Sequence, residues 1–550
     1  MAIKGGDAIF VGNDTVVLDR LQSAGPGQLN IPTEKISELG DYKSVAVIRD
    51  TPDLTFSMDS YDVSCEVEQW LIGGSSRSLT DGVTNSTTVL TSATAAFTSA
   101  DVGKLMTITS GLDNGFRTTI ASVTSGTAVV LAKATPNTDA AAAFTVETNV
   151  YDMSVAKAVD IVSQFKPGKN KTSPFDIVGS VGVPFLTLES VSYRFGLTSD
   201  ATQTYGLRGD SIFYNRGAGY IDILAGAAVV TAADGVTNAT TTFTSAAGTF
   251  TAASVGDRIV IVGAGPLGAD LDTTIVTYTS ATSVVLAVAA TSSATLQTYY
   301  VYKRSYSTTH PAYAYTDGSG TRRVLAVMLD GIRQTYGADY TCSEGTVANH
   351  AAIATVHFTV EPAVASEIRI MYSSPDVRTY NQTVHADVTV KPAAVRGRDI
   401  DVYVGGYDAD DLNSVAAHKW TSVQSVQMDW RVTLDKDQEF GNYYYVAQDF
   451  DVPAVTGTVA LKPRDPDELY AKISEITGTA AYESIGPNVA NPLSVDIVLK
   501  DGSNQGKTLK RLHSGDVRFS VPGFSLQVQQ KATINMAFES DSGELLVYKY

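Results

Sequence analysis

The densest candidate for chemistry is Ile261-Val-Gly-Ala-Gly-Pro-Leu-Gly268, whose glycines fit G-x-G-x-x-G after an apolar strand. Such a loop holds a pyrophosphate only where a helix begins at its end. Here Ala269-Asp-Leu-Asp-Thr-Thr-Ile275 turns and returns as a strand, so the glycines read as a turn. Arg208-Gly-Asp-Ser211 spells an integrin-type tripeptide, but it leads into the strand Ile212-Phe-Tyr214 and also reads as a turn. The six histidines (His310, His350, His357, His385, His418, His513) never fall at metal-ligand spacing. Asp408-Ala-Asp-Asp-Leu-Asn413 offers oxygens to a hard cation, yet it lacks the sixth-position Gly and distal Glu of an EF-hand loop. It reads as a solvated acidic loop. Asp435, Asp437 and Glu439 have the chemistry of a glycosidase pair, but nothing sets their separation, and alternating charges on a strand form a solvated face. No G-x-S-x-G elbow, P-loop or H-E-x-x-H occurs. Two cysteines, Cys65 and Cys342, exclude a disulfide scaffold and an all-cysteine zinc site. The expectation is a non-enzyme, with no catalytic residue, metal ligand or cofactor.

The elements that would position any site are strands. The 550 residues suggest three or four domains, and the abundance of Thr, Val, Gly and Tyr (27 of the last) favours β structure. A hydrophobic share of 44% against 18% charged places the chain among globular proteins. Its 40 basic and 58 acidic residues give −18, which argues against a tight grip on nucleic acid. The start lacks an apolar signal region, and the apolar stretch Ile223 to Ala233 is too short to span a bilayer. These features lead us to expect folding in a cytoplasm without a membrane anchor.

Self-comparison organises the chain. Asp81-Gly-Val-Thr-Asn85 recurs as Asp234-Gly-Val-Thr-Asn238 at an offset of 153, which also links Phe97 with Phe250. Thr118-Thr-Ile120 and Val129-Val-Leu131 recur at an offset of 155 as Thr273-Thr-Ile275 and Val284-Val-Leu286. Two copies of a small β module therefore lie at 75–148 and 228–301. With four basic against five acidic residues in one and one against four in the other, the pair carries −4 of the −18.

A second duplication surrounds them. Leu39-Gly-Asp-Tyr-Lys-Ser-Val-Ala46 parallels Phe440-Gly-Asn-Tyr-Tyr-Tyr-Val-Ala447 at an offset of 401. Val159-Asp-Ile-Val162 recurs as Val495-Asp-Ile-Val498. Asp7-Ala-Ile-Phe-Val11 resembles Asp401-Val-Tyr-Val404, and Asp210-Ser-Ile-Phe-Tyr214 resembles Glu544-Leu-Leu-Val-Tyr548. The expected architecture is mainly β: a domain built from 1–74 plus 149–227, and its copy at 379–550. Each copy has one short helix, from Ser64 to Leu71 in the first and after an Asp465 cap and Pro466 in the second. The segment 302–378 reads as a sandwich-like linker domain, with strands around the Asp330-Gly331 turn.

Asp50-Thr-Pro-Asp-Leu-Thr-Phe-Ser57, running into Tyr61-Asp-Val-Ser-Cys-Glu-Val-Glu-Gln-Trp70, resembles the N-terminal half of tail tube proteins of long-tailed bacteriophages. Val183-Pro-Phe-Leu186, Ser192-Tyr-Arg-Phe195 and Leu207-Arg-Gly-Asp-Ser-Ile-Phe-Tyr214 continue the likeness. Val327-Met-Leu-Asp-Gly-Ile-Arg-Gln334 with Asp339-Tyr-Thr341 resembles small β domains of phage virion proteins, and the modules resemble additions on others. The resemblance implies two tail-tube-like β-sandwich or barrel domains per chain, a homotrimeric pseudo-hexameric ring, and rings stacked into the tail of a virion made in a bacterial cytoplasm. It implies partners in the chain itself and in tail terminator and baseplate or tip proteins, and DNA passing through the lumen without specific binding. An acidic bore suits that passage, since a basic lining would hold the phosphates.

The long polar segments Asn13 to Glu38 and Tyr407 to Glu439 exceed hairpin-loop lengths and are expected to bridge adjacent rings. The contact candidates are Asp19, Arg20, Gly25, Asn30, Glu34, Asp408, Asp410 and Asp411. The alternative is a receptor-binding or adhesive virion protein whose modules bind glycans through aromatic clusters such as Tyr299-Tyr-Val-Tyr302.

Overall fold

Alternation of apolar and polar residues in the Val-, Thr- and Tyr-rich segments should give strands with one buried face. In a computed structural model these segments pair as antiparallel ladders, with only two α-helices, Glu66–Ile72 and Pro466–Thr477, among the described residues. The structure describes residues 8–12, 16–18, 21–27, 29–30, 33–36, 46–49, 52–61, 65–74, 76–165, 179–197, 201–215, 218–317, 320–342, 351–375, 395, 397–407, 418–437, 447–477, 493–500, 508–520 and 533–550.

The two modules are closed six-stranded barrels, Ser76–Glu147 and Val230–Tyr302, with identical strand connectivity. Their shared Asp-Gly-Val-Thr-Asn motif has a structural cause. Asp81 accepts from the Ser92 hydroxyl at 2.6 Å and the Thr94 amide at 2.9 Å; Asp234 accepts from Ser245 and the Ala247 amide, both at 2.6 Å. A Cβ on Gly82 would lie 2.7 Å from the Phe144 ring, and one on Gly235 would lie 2.9 Å from Phe243. The Asp ties down a loop, and the Gly makes room for a core aromatic.

Two sets of outer strands carry matching ladders. In the N-terminal copy Leu21–Pro26 pairs with Leu54–Ser60, Ala8–Gly12 with Val159–Phe165, and Gly179–Gly196 with both Thr202–Gly209 and Phe213–Asn215. In the C-terminal copy Val423–Arg431 pairs with Ala454–Leu461, Ile400–Val404 with Leu493–Lys500, and Thr508–Phe519 with Ile534–Ser540 and Leu546–Lys549. Even the hairpins agree: Thr33 faces Arg49 as Leu434 faces Phe450, at the same offset of 401. A bulge between Leu21 and Ser23 recurs between Val423 and Ser425.

Pairing corrects two sequence alignments. Gly12 opposes Ile161 as Val402 opposes Ile497, so Gly12 matches Val402 and Val11 matches Asp401, where the motif likeness ends Val11 on Val404. Gly182 opposes Phe213 as Arg511 opposes Tyr548, so Phe213, not Tyr214, is the counterpart of Tyr548. One residue of slip reverses the face of a strand, and short apolar motifs do not fix it. Nor are Asn13 to Glu38 and Tyr407 to Glu439 single loops. They contain the strand Leu21–Pro26 and the strands Val423–Arg431 and Leu434–Asp437, which small and polar residues disguise.

The linker domain is a sandwich of a four-stranded and a three-stranded sheet sharing a core of Tyr220, Tyr306, Val327, Val356, Ile370 and Tyr372. Asp330 and Gly331, at φ of 49° and 81°, make the left-handed two-residue turn of its hairpin. Ala218–Ala225 pairs throughout with Glu367–Ser374, so the second barrel is inserted within this sandwich. The first barrel leaves and re-enters the N-terminal copy side by side: a Cβ on Gly74 would be 3.5 Å from the Thr148 Cβ.

Candidate assembly interface

The longest strand, Gly179–Gly196, joins the two copies. Its distal half pairs with Thr202–Gly209 on one edge and with Val423–Arg431 on the other, from Ser190 opposite Arg431 to Gly196 opposite Ser425. Val191, Tyr193 and Phe195 alternate into the core, where they meet Val426, Met428 and Trp430. On the other face the Ser192 hydroxyl donates to the Asp429 carboxylate. A second edge pairing sets Val150–Asp152 against Leu546–Lys549. Two related domains thus form one sheet, of 17 strands among the described residues, over one core.

Beneath this junction lies a fully buried polar node. The Lys510 ammonium of the C-terminal copy pairs with Glu68, on the helix Glu66–Ile72 of the N-terminal copy, and both side chains are 0% exposed. Lys510 also donates to Gln203 at 2.7 Å, while the Tyr193 and Tyr205 hydroxyls donate to Glu68 at 2.8 and 2.6 Å. Burial, and then the Glu68 charge, pushes both tyrosine hydroxyls well above their ordinary pKa. Buried ion pairs of this kind fix which surfaces meet more than they add stability.

The same edges differ between the copies. Val423–Arg431 is paired on both sides; its counterpart Leu21–Pro26 pairs only with Leu54–Ser60 among the described residues. Leu546–Lys549 is likewise paired on both sides, whereas among the described residues its counterpart Phe213–Asn215 pairs only with the long strand and leaves Tyr214 77% exposed. Among the described residues the N-terminal copy therefore presents two strand edges at the places where the C-terminal copy receives its neighbour. The sequence counterparts of the donor strands fall at 486–488 and 521–527, outside the described residues.

Of the contact candidates, Gly25 lies on the open-edged strand opposite Ser57, with nothing within 4 Å of where its Cβ would stand. Asn30, exposed, bridges to Asp53, and Glu34 lies opposite Ile48 in the hairpin. Asp19, Arg20, Asp408, Asp410 and Asp411 lie outside the described residues. The node residues Glu68, Gln203 and Lys510 carry no local signal, because Lys510 is 442 residues from Glu68.

Two of the motifs with apparent chemistry have structural roles, while Asp408–Asn413 and Glu439 lie outside the described residues. Arg208 forks onto Asp53 at 2.7 and 2.8 Å, while Asp210 is buried beside Ser211 and Arg333. The Gly263–Gly268 segment is a turn closed by the Asp270 carboxylate, which accepts the Gly263 amide at 3.0 Å. Among the described residues no group of three or more His, Cys, Asp or Glu is placed to hold a metal ion, and no helix is long and apolar enough to cross a membrane.

Protein-family models give no match to this chain, and a search of curated proteins finds no significant relative.

Proposed function

We propose that this chain is the repeating subunit of a ring that stacks into a tube, in the manner of the tail tube of a long-tailed bacteriophage. The observation that carries the reading is the pair of edges left open among the described residues, Leu21–Pro26 and Phe213–Asn215, equivalent to edges that are filled within the same chain. Repeating the internal junction between chains joins unlike surfaces head to tail, and such an interface closes into a ring when its rotation permits. Closure removes the exposed edges that would otherwise template aggregation. Three chains contribute six related domains, and the hollow interior is the conduit for DNA. Terminator and baseplate or tip proteins cap such a tube.

The test is electron microscopy and native mass spectrometry of the purified chain with and without Tyr214→Asp. Rings or tubes are expected from the parent protein. The substitution lies on an exposed edge, so it should leave the melting temperature unchanged while holding the chain as a monomer. A parent chain that is monomeric at high concentration, or rings that survive Tyr214→Asp together with Ala24→Pro on the other edge, would reject the reading.

A further inference from the structure

The two barrels share every strand but not the contents of one pocket. In the first barrel the place is filled by Arg77. Its guanidinium lies 5.1 Å from the centre of the Phe97 ring, pairs with the buried Asp101 at 2.7 Å and donates to the Ala96 carbonyl at 3.4 Å. Lys104 supplies a second cation to Asp101 at 2.9 Å. Barrel pairing fixes the equivalent positions: Arg77 opposes Val146 as Val230 opposes Val301.

In the second barrel the arginine is therefore Val230. Phe250 replaces Phe97 with its burial preserved, Thr249 replaces Ala96, and Ser254 and Asp257 stand where Asp101 and Lys104 were. What remains is a cavity of about 190 Å³, lined among others by Val230, Thr249, Phe250, Ser254, Asp257 and Lys303. The Asp257 residue is 4% exposed. Its carboxylate accepts the Arg304 and Ser305 amides at 2.8 and 3.0 Å and has no ion-pair partner within 4.0 Å among the described residues. Burial raises its pKa to about 6, outweighing the Arg304 and Ser305 amides, the Ser305 hydroxyl and the Lys303 charge. The Lys303 ammonium, also on the lining, sits over the Tyr306 ring at 4.9 Å.

We propose that this pocket is a binding site for a guanidinium group, taking in trans the side chain that Arg77 supplies in cis to the sister barrel. The Phe250 ring offers a cation–π face, the Thr249 carbonyl an acceptor, and Asp257 the countercharge. The assignment is independent of ring formation.

The test is saturation-transfer NMR on the full-length chain with Nα-acetyl-L-argininamide, free L-arginine and a blocked Gly-Arg-Gly peptide. Saturable transfer from at least one probe is expected for the parent protein. Val230→Arg should abolish it by filling the pocket, and Asp257→Asn should weaken it about tenfold. Adding Arg77→Val to Val230→Arg should restore transfer through the first barrel, which also covers the case in which Val230→Arg perturbs its own barrel. Tighter binding of free arginine would mark a small-molecule ligand and of the peptide a polypeptide arginine; either upholds the site. Absence of saturable transfer from all three probes, or binding indifferent to Val230→Arg and Asp257→Asn, would overturn it.

Discussion

The N- and C-terminal copies have the same strands, the same bulge and the same hairpin register, yet they keep different company. The C-terminal copy has both acceptor edges covered by the N-terminal copy; the N-terminal copy has the same edges open among the described residues. A buried aspartate at one shared position tells the same story. Asp160 reaches out of its domain to Arg369 of the sandwich at 2.8 Å, whereas its counterpart Asp496 stays at home, 2.7 Å from both Arg511 and His513. Duplication preserved the backbone ladder, and divergence was spent on what each copy touches.

The sharpest way to break this comparison is at the node. Lys510→Met alone leaves Glu68 buried without its cation and should cost about 3–5 kcal/mol. Adding Glu68→Leu should recover most of that. Urea unfolding followed by tryptophan fluorescence reads this region selectively, because Trp70, Trp420 and Trp430 are the chain's three tryptophans and all lie in the joint core. Equal losses in the single and double variants would show that the pair does not act as a unit.

Next in size, Asp160→Asn should cost about 3 kcal/mol and raise hydrogen exchange at the contact with Arg369. Asp496→Asn should instead loosen only the C-terminal copy. Protection changes confined to one domain in both variants would erase the distinction.

The barrels repeat the comparison on a smaller scale, and pH resolves it. Asp257 has a folded pKa near 6, above its ordinary value of 3.8, so the second barrel should lose stability as pH rises from 4 towards 6, by up to about 3 kcal/mol. Asp101 is held low, with the Thr98 amide, Lys104 and Arg77 outweighing burial, so the first barrel should lose stability as pH falls below 3.8. Hydrogen exchange of the two barrels across pH 3–7 measures both slopes; Asp257→Asn should flatten the second. The smallest effect belongs to Arg208→Ala, whose ion pair with Asp53 is part-exposed and should be worth below about 1 kcal/mol by urea unfolding.

Much of this architecture was legible because repeats expose themselves at fixed offsets. The Asp-Gly-Val-Thr-Asn motif marked both barrels, and Leu39 to Ala46 against Phe440 to Ala447 marked the outer duplication. The register of short strands was not legible: the side chains of Tyr214 and Tyr548 look alike, but only pairing with the neighbouring strand decides which face each occupies. Leu21–Pro26 was hidden by its Gly-Pro, which signals a turn in sequence yet sits on an edge strand where a missing N–H is tolerated. Lys510 reads as an ordinary strand lysine, and only the fold brings it to Glu68.

The adjacency of Gly74 and Thr148 has a practical consequence. A guest domain needs only neighbouring termini to occupy the first barrel's berth, so the outer duplication can act as a chassis into which cargo is spliced without redrawing the sheet. If the chains polymerise, every guest would be displayed at a regular interval along the assembly.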